Sequence, residues 1–114
     1  MQLHACGALC NLAVDHPGNQ SAIGQKQGID AIISAMQKHE GSEKVQARAC
    51  AALATLAVDH PGNQSAIGQK RGIDAIISAM QKHEGSEKVQ AQACGALWNL
   101  AVDHPGNKAA IGQK

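Results

Sequence analysis

The pentapeptide Asp15-His16-Pro17-Gly18-Asn19 returns at residues 59–63 and again at 103–107, a spacing of 44 residues both times. Self-similarity at a period of about 20–50 residues is the signature of solenoids and related repeat architectures. Between residues 18–61 and 62–105, 39 of 44 aligned positions are identical. Identity this high indicates a recent duplication, a consensus-like design or an engineered array, and one unit therefore serves to interpret the whole chain.

The first half of the unit 18–61 predicts two helices separated by a glycine. Asn19 is a suitable N-cap for a short helix over about 20–26, because its side chain accepts hydrogen bonds from first-turn N–H groups. Gly28 then interrupts the chain, since glycine accepts the backbone angles that end a helix. A second helix is expected over about 29–39, before Gly41. Its apolar side chains follow the i, i+3, i+4, i+7 spacing of one buried stripe: Ile29, Ile32, Ile33 and Met36.

The second half of the unit predicts a longer third helix. Ser42 is its expected N-cap, and Glu43 lies favourably against the positive end of the helix dipole. Pro61 ends the unit, because the residue before a proline is disfavoured in helical geometry. The apolar positions predicted to form the buried face are Val45, Ala49, Ala52, Leu53 and Leu56.

Three helices per unit, with a glycine after the short first one, resemble the armadillo repeat. The resemblance is carried by the stretches NQSAI at 63–67, GIDAII at 72–77 and ALWNLA at 96–101. HEAT repeats have two helices and would not explain the glycine break. The resemblance covers essentially the whole chain and implies an all-α fold, a right-handed α-solenoid with three helices per 44-residue repeat.

One domain is expected over residues 1–114, divided by the repeat boundaries. Residues 1–17 would be the third helix of a partial repeat, 18–61 and 62–105 two repeats, and 106–114 the first helix of a partial repeat. Neither end carries a recognisable polar cap, so the sequence predicts exposed apolar faces that include Leu9, Leu12 and Ile111.

Composition excludes several classes of partner. The formal net charge is +1 with no run of like charge, so nucleic acid and acidic membrane surfaces are not expected partners. No apolar stretch approaches the roughly 18 residues that span a bilayer, and no signal peptide is apparent. The cysteines Cys6, Cys10, Cys50 and Cys94 fall on helical apolar faces and are predicted to be small buried hydrophobes. Such usage fits a reducing, cytoplasmic setting.

The positions that vary between repeats cluster on the third helix. Residues 48, 51 and 55 are spaced i, i+3, i+7 and share one stripe beside the buried face. In the armadillo family the third helices line a concave groove, and the asparagine of the Asn-Leu-Ala motif holds the backbone of an extended peptide. The resemblance therefore implies a protein-binding set of Asn11, Thr55, Asn99, His4, Arg48, Gln92, Gly7, Ala51, Gly95 and Trp98.

Two features separate this set from peptide-binding importin-like arrays. Those arrays carry tryptophan four residues before the asparagine, where this chain has Gly7, Ala51 and Gly95. Arg48 also stands where an acidic residue would suit a lysine-rich ligand. The alternative interpretation is that the varying positions are surface residues that have drifted without a binding role.

Metal binding and catalysis find no support in the sequence. His16, His60 and His104 recur once per repeat, yet packed helices lie about 8–10 Å apart while zinc ligands converge to about 2 Å from the ion. Glu40 and Glu84 are equivalent residues one repeat apart and do not form a general acid–base pair. We therefore expect no enzyme activity, no cofactor and no metal site.

Two functions from different classes remain open. The first is a non-enzymatic scaffold whose third-helix groove binds an extended peptide or protein segment. The second is a structural or engineered repeat building block with no natural ligand, which forms a homodimer or associates head to tail through its uncapped ends.

Overall fold

The computed structural model describes residues 18–19, 22–23, 27–69 and 71–112, and this part of the chain is helical without a strand. This confirms the all-α prediction. Gly18, Asn19, Ala22 and Ile23 are helical as well. In chain order the main helices are α1 (Gly28–Lys38), α2 (Glu43–Ala57), α3 (Pro61–Gln69), α4 (Gly72–Lys82), α5 (Glu87–Ala101) and α6 (Pro105–Gly112).

These helices follow the order of helices in the predicted repeat. The helices α1 and α4 are second helices, α2 and α5 are third helices, and α3 and α6 are first helices of the predicted unit. Within the described residues, no helix is both long enough and apolar enough to cross a membrane.

The predicted serine cap of the third helix is confirmed, and so are the predicted buried stripes of the second and third helices. The Oγ of Ser42 accepts a hydrogen bond from the N–H of Val45 at 3.2 Å. Ser86 and Val89 repeat this contact at the start of α5. All nine apolar residues predicted for the two stripes are buried: Ile29, Ile32, Ile33, Met36, Val45, Ala49, Ala52, Leu53 and Leu56.

The glycine at the start of each second helix acts through its missing side chain. The sequence pattern predicts the helix-ending backbone angles at Gly28, but left-handed backbone lies at the preceding Gln27 (φ 65°) and at the equivalent Arg71 (φ 66°). A Cβ on Gly72 would overlap both the side chain and the carbonyl group of Ile67. The glycine therefore allows the first and second helices to approach each other closely.

The first helices begin earlier than predicted, because the cap is not the asparagine. The helix α3 starts at Pro61, and the carbonyl of His60 accepts the first intrahelical bond, from Gln64 N. The Nδ1 of His60 accepts the N–H of Asn63 at 3.1 Å, so the histidine side chain is the N-cap. Asn63 instead lies buried inside the helix, and Asn19 is likewise already helical.

The core runs between the repeats, and α2 and α5 make the most extensive contact between any two of the described helices. Cys50 lies in this contact and is fully buried, as predicted, whereas the equivalent Cys94 is exposed, so that prediction is wrong. The difference arises because α5 covers Cys50 while no described helix covers Cys94. Ile111, expected to be exposed, is half-buried against the core. Four residues with predicted burial or exposure lie outside the described residues: Cys6, Leu9, Cys10 and Leu12.

A second set of contacts joins the loops that follow the second helices. The Nε2 of His83 donates to the backbone carbonyl of Glu40 at 2.8 Å, and Lys82 Nζ lies 3.2 Å from the Glu40 carboxylate. The hydroxyl of Ser86 donates to the carboxylate of Glu43. The loop of one repeat thus supplies donors to the acceptors of the repeat before it.

Candidate protein-binding surface

Carboxamide side chains cap the C-terminal ends of α1 and α5. The Nε2 of Gln46 donates to the carbonyls of Met36 and His39 at the end of α1, at 3.0 and 2.9 Å. The Nε2 of Gln64 donates to the carbonyls of Asn99 and Val102 at the end of α5, at 2.7 and 3.0 Å. Carbonyls at helix ends have no partner within the helix, and these amides satisfy them. The C-terminal end of α5 is therefore held firmly in place.

Asn99 joins the two third helices. Its Nδ2 donates to the carbonyl of Ala54 on α2 at 3.0 Å, and its own backbone carbonyl accepts from Gln64. Asn99 is half-buried and lines a cleft between the ends of α2 and α5. The asparagine predicted to hold a peptide thus has its amide N–H directed to the neighbouring repeat.

The remaining predicted residues on the two third helices differ in exposure. Arg48 and Gln92 are exposed, whereas Ala51 and Gly95 are half-buried. A Cβ on Gly95 would meet no atom within 4 Å, so the surface there is open. Half-buried Thr55 donates its hydroxyl to the carbonyl of Ala51 at 3.0 Å. Three further predicted positions lie outside the described residues: His4, Gly7 and Asn11.

Trp98 is the most exposed large apolar residue of the described chain, with 74% of its surface accessible. Val58 and Val102 are also exposed, at 43% and 42%. All three line the cleft that Asn99 lines, together with Asp59, Pro61, Gln64 and Asp103. The cleft therefore combines an aromatic ring and two aliphatic side chains with two carboxylates.

The sequence pattern predicts only Trp98 and Asn99 of this cleft. It indicates the Val-Asp-His-Pro run as the end of a helix and does not predict the other cleft residues. Asp59 and Asp103 adopt left-handed backbone, with φ of 49° and 54°. Aspartate is one of the few residues that visit this region readily. Its recurrence before His-Pro was the available signal that these loops turn sharply.

The recurrent histidines act as structural caps at His60 and His104, and His16 lies outside the described residues. The Nδ1 of His104 accepts the N–H of Asn107 at 3.1 Å, as His60 does for Asn63. The Nε2 of His104 lies 2.9 Å from the hydroxyl of Ser65 in the preceding repeat. In the part of the chain that the structure covers, no group of three or more His, Cys, Asp or Glu side chains could hold a metal ion.

Comparison with known families adds one finding. The family model described as armadillo/beta-catenin-like repeat matches residues 60–102, which extend from the cap of α3 to the end of α5. No curated protein and no solved structure matches the chain.

Proposed function

Residues 60–102 match the armadillo/beta-catenin-like repeat model, and on that premise we propose that this chain binds an extended peptide segment on its third-helix face. Armadillo repeats are generally protein-interaction scaffolds and are typically non-enzymatic. The proposed role is therefore that of a scaffold. Free thiols at Cys50 and Cys94 are compatible with the reducing, cytoplasmic setting that we propose for it.

The observation that carries the proposal is the exposure of Trp98 beside the cleft. A tryptophan with 74% of its surface in water, beside two exposed valines, forms an exposed apolar patch, and such patches are often interaction sites. Tryptophan is also strongly enriched among the residues that dominate binding energy. Because Asn99 and Gln64 hold the end of α5, the indole is attached to a rigid element.

The charges of the cleft favour a cationic segment. Asp59 and Asp103 supply two carboxylates, and the face of the Trp98 indole can attract a Lys or Arg side chain. Arg48 lies nearer the start of α2 and would instead favour an acidic residue at the other end of the segment. The proposed ligand is thus an extended peptide with a basic side chain at the cleft.

Trp98 is the only tryptophan, so its fluorescence reports the cleft directly. We expect a short blocked peptide in which Lys alternates with Ser to shift Trp98 emission saturably, and a matched Glu peptide to have no effect. The paired change Asp59→Asn and Asp103→Asn should weaken binding of the Lys peptide roughly five-fold, given about 0.5 kcal/mol for each exposed charge contact. Asparagine tolerates left-handed backbone as aspartate does, so the loop geometry is kept.

Two variants control this measurement. Glu84→Gln removes an exposed carboxylate outside the cleft and should leave the affinity unchanged. Trp98→Ala should abolish binding measured by calorimetry, and the fold should tolerate it because Ala54 occupies the equivalent position on α2. Equal responses to the Lys and Glu peptides would contradict a cationic cleft.

A second candidate function is that of a self-associating building block. It is favoured by the contrast between Cys50, which α5 buries, and Cys94, which is exposed at the same position of the next repeat. Light scattering over a wide concentration range tests it. A monomer at every concentration would remove this candidate and leave the peptide-binding proposal untouched.

A further inference from the structure

One face of α5 is left open where the equivalent face of α2 is covered. On α2, Cys50, Leu53 and Ala57 are fully buried. On α5, the equivalent Cys94 is exposed, and Leu97 and Ala101 are only half-buried. Lys108 of α6 borders this surface, because Lys108 lines one depression together with Trp98 and Ala101. We name the surface the outer face of α5, formed by Ala91, Cys94, Leu97, Trp98 and Ala101.

The molecule itself shows what covers such a face. The outer face of α2 is buried chiefly by the next third helix, α5, while the second helices α1 and α4 contact each other much less. A segment with the sequence of a third helix is therefore sufficient to supply most of the contact between two repeats. The segment need not bring a complete repeat with it.

The chain contains such a segment at its N-terminal side. Residues 1–15 are identical to residues 89–103 of the α5 region at 11 of 15 positions. Residues 45–59 of the α2 region match 89–103 at the same number of positions, 11 of 15. Residues 1–15 are thus as similar to α5 as α2 is.

We propose that the outer face of α5 binds residues 1–15 of a second copy, so that copies associate head to tail. The inference rests on the self-association candidate and gives it a direction, an interface and a pair of polar contacts. The occupant is argued from continuity with an interface that the structure already contains, between α2 and α5.

The polar contacts between the repeats support this direction. Inside the molecule, Nδ2 of Asn99 donates to the carbonyl of Ala54. Asn11 occupies the position of Asn99 in the first third-helix sequence, and Trp98 occupies that of Ala54. A second copy docked in the same way would bring the Asn11 amide to the carbonyl of Trp98.

A second polar contact would be made by Lys108. Gln64 of α3 donates to two carbonyls at the end of α5, and Lys108 is the equivalent residue of α6. An ammonium group can donate to the same kind of carbonyl pair, and a cation at a helix C-terminus is favoured by the helix dipole. Lys108 is therefore suited to the C-terminal end of a docked third-helix segment.

One internal contact would be missing from the docked pair. Inside the molecule Ser65 contacts His104 of the following repeat, but the equivalent of Ser65 on α6 is Ala109, which has no hydroxyl. The association should therefore be weaker than the contact between covalently linked repeats. It is expected to be reversible and to depend on concentration.

Head-to-tail contact joins two different surfaces, and such contacts form open chains unless their rotation closes a ring. A tail-to-tail contact between two outer faces would instead stop at a dimer. The two arrangements therefore predict different masses, a rising series in the first case and a closed dimer in the second.

The experiment blocks each surface separately in the 114-residue chain. Cys94→Arg places a charge on the outer face of α5, and Asn11→Asp replaces the donor of the incoming segment with an acceptor. Each variant alone should raise the apparent dissociation constant at least tenfold. Mixed together they should form a one-to-one heterodimer through the one intact contact, measured by light scattering. Gln81→Arg is the charge control, because the equivalent Gln37 stays exposed with a repeat packed beyond it.

Thiol alkylation gives an independent measurement. Alkylation of Cys94, followed by mass spectrometry of its tryptic peptide, should slow as the protein concentration rises, and it should not slow in Asn11→Asp. Three results would overturn the proposal. They are a monomer at all concentrations, a closed dimer that Asn11→Asp leaves unchanged, and Cys94 alkylation that is independent of concentration. The last two could occur while self-association as such stands, so the two hypotheses are separable.

Discussion

Gly68 allows two repeats to pack closely because it has no side chain. Asn107 of α6 lies against Gly68 of α3, and a Cβ on that glycine would overlap Oδ1 of the asparagine. In this position Nδ2 of Asn107 donates to the carbonyls of Gln64 and Leu100, both at 2.9 Å. The asparagine is buried, so a displaced amide would leave polar groups without partners. A Cβ added to the equivalent glycine, Gly112, would meet no atom within 4 Å.

Gly68→Ala should destabilise the protein although alanine is the better helix former. Loss of the Asn107 contacts should cost about 1–2 kcal/mol of stability. This exceeds the roughly 0.5–1 kcal/mol by which alanine stabilises a helix relative to glycine. Gly112→Ala, at the equivalent open position, should be neutral or slightly stabilising. Urea unfolding followed by circular dichroism measures both. Equal effects of the two substitutions would show that Asn107 does not depend on the glycine.

At the scale of the element, the first helices depend on a histidine cap. Because Nδ1 of His104 accepts the Asn107 N–H, the neutral imidazole carries its proton on Nε2, which then donates to the Ser65 hydroxyl. One side chain thus starts α6 and contacts α3. Proline follows as the first helical residue, where its missing N–H has no cost.

His60→Ala should therefore destabilise the protein by about 1 kcal/mol, the usual cost of losing an N-cap side chain. His60→Asp should restore most of this loss, because aspartate is a good N-cap and its charge suits the helix N-terminus. Chemical denaturation of the three proteins measures the difference. If His60→Asp does not restore the lost stability, His60 acts through packing and not as a cap.

The sequence predicted the elements more fully than their junctions. Apolar spacing and the serine caps are local, so the second and third helices and their buried faces followed from it. The histidine cap is local, but histidine is not among the usual N-cap residues, so the pattern favoured the asparagine. The glycine contact of Gly68 was not predictable, because it depends on which side chain of a neighbouring helix lies opposite. The same applies to the cleft: Trp98 and Asn99 were named from the family resemblance, whereas Asp59 and Val58 come from the adjacent repeat.

At the scale of the whole molecule, Cys50 links protonation to the packing of the repeats. Its thiol is buried between α2 and α5, and burial raises its pKa from 9.0 to about 12. Unfolding exposes the thiol, so above pH 9 the unfolded chain loses a proton that the folded chain keeps. This contribution to stability is fully present below pH 9 and is lost as the pH rises toward 12.

Stability should accordingly fall between about pH 8 and about pH 10.5, measured by urea unfolding at both values. Cys50→Ala should show a smaller fall, since the buried thiol is gone. Cys94→Ala removes the exposed equivalent and should retain the fall of the parent protein. If all three proteins respond alike, the alkaline loss comes from other groups.

The contacts between repeats also bear on how such a chain changes in length. The pairs His83 with Glu40, Ser86 with Glu43 and Asn107 with Gln64 each join residues 43 apart, and Asn99 with Ala54 joins residues 45 apart. Inserting or removing 44 residues keeps the backbone positions of these pairs in register, although Thr55 takes the place of the Asn99 donor in one copy. A change in the number of repeats therefore preserves this pattern of contacts, whereas a deletion of another length breaks the register of every pair that spans it.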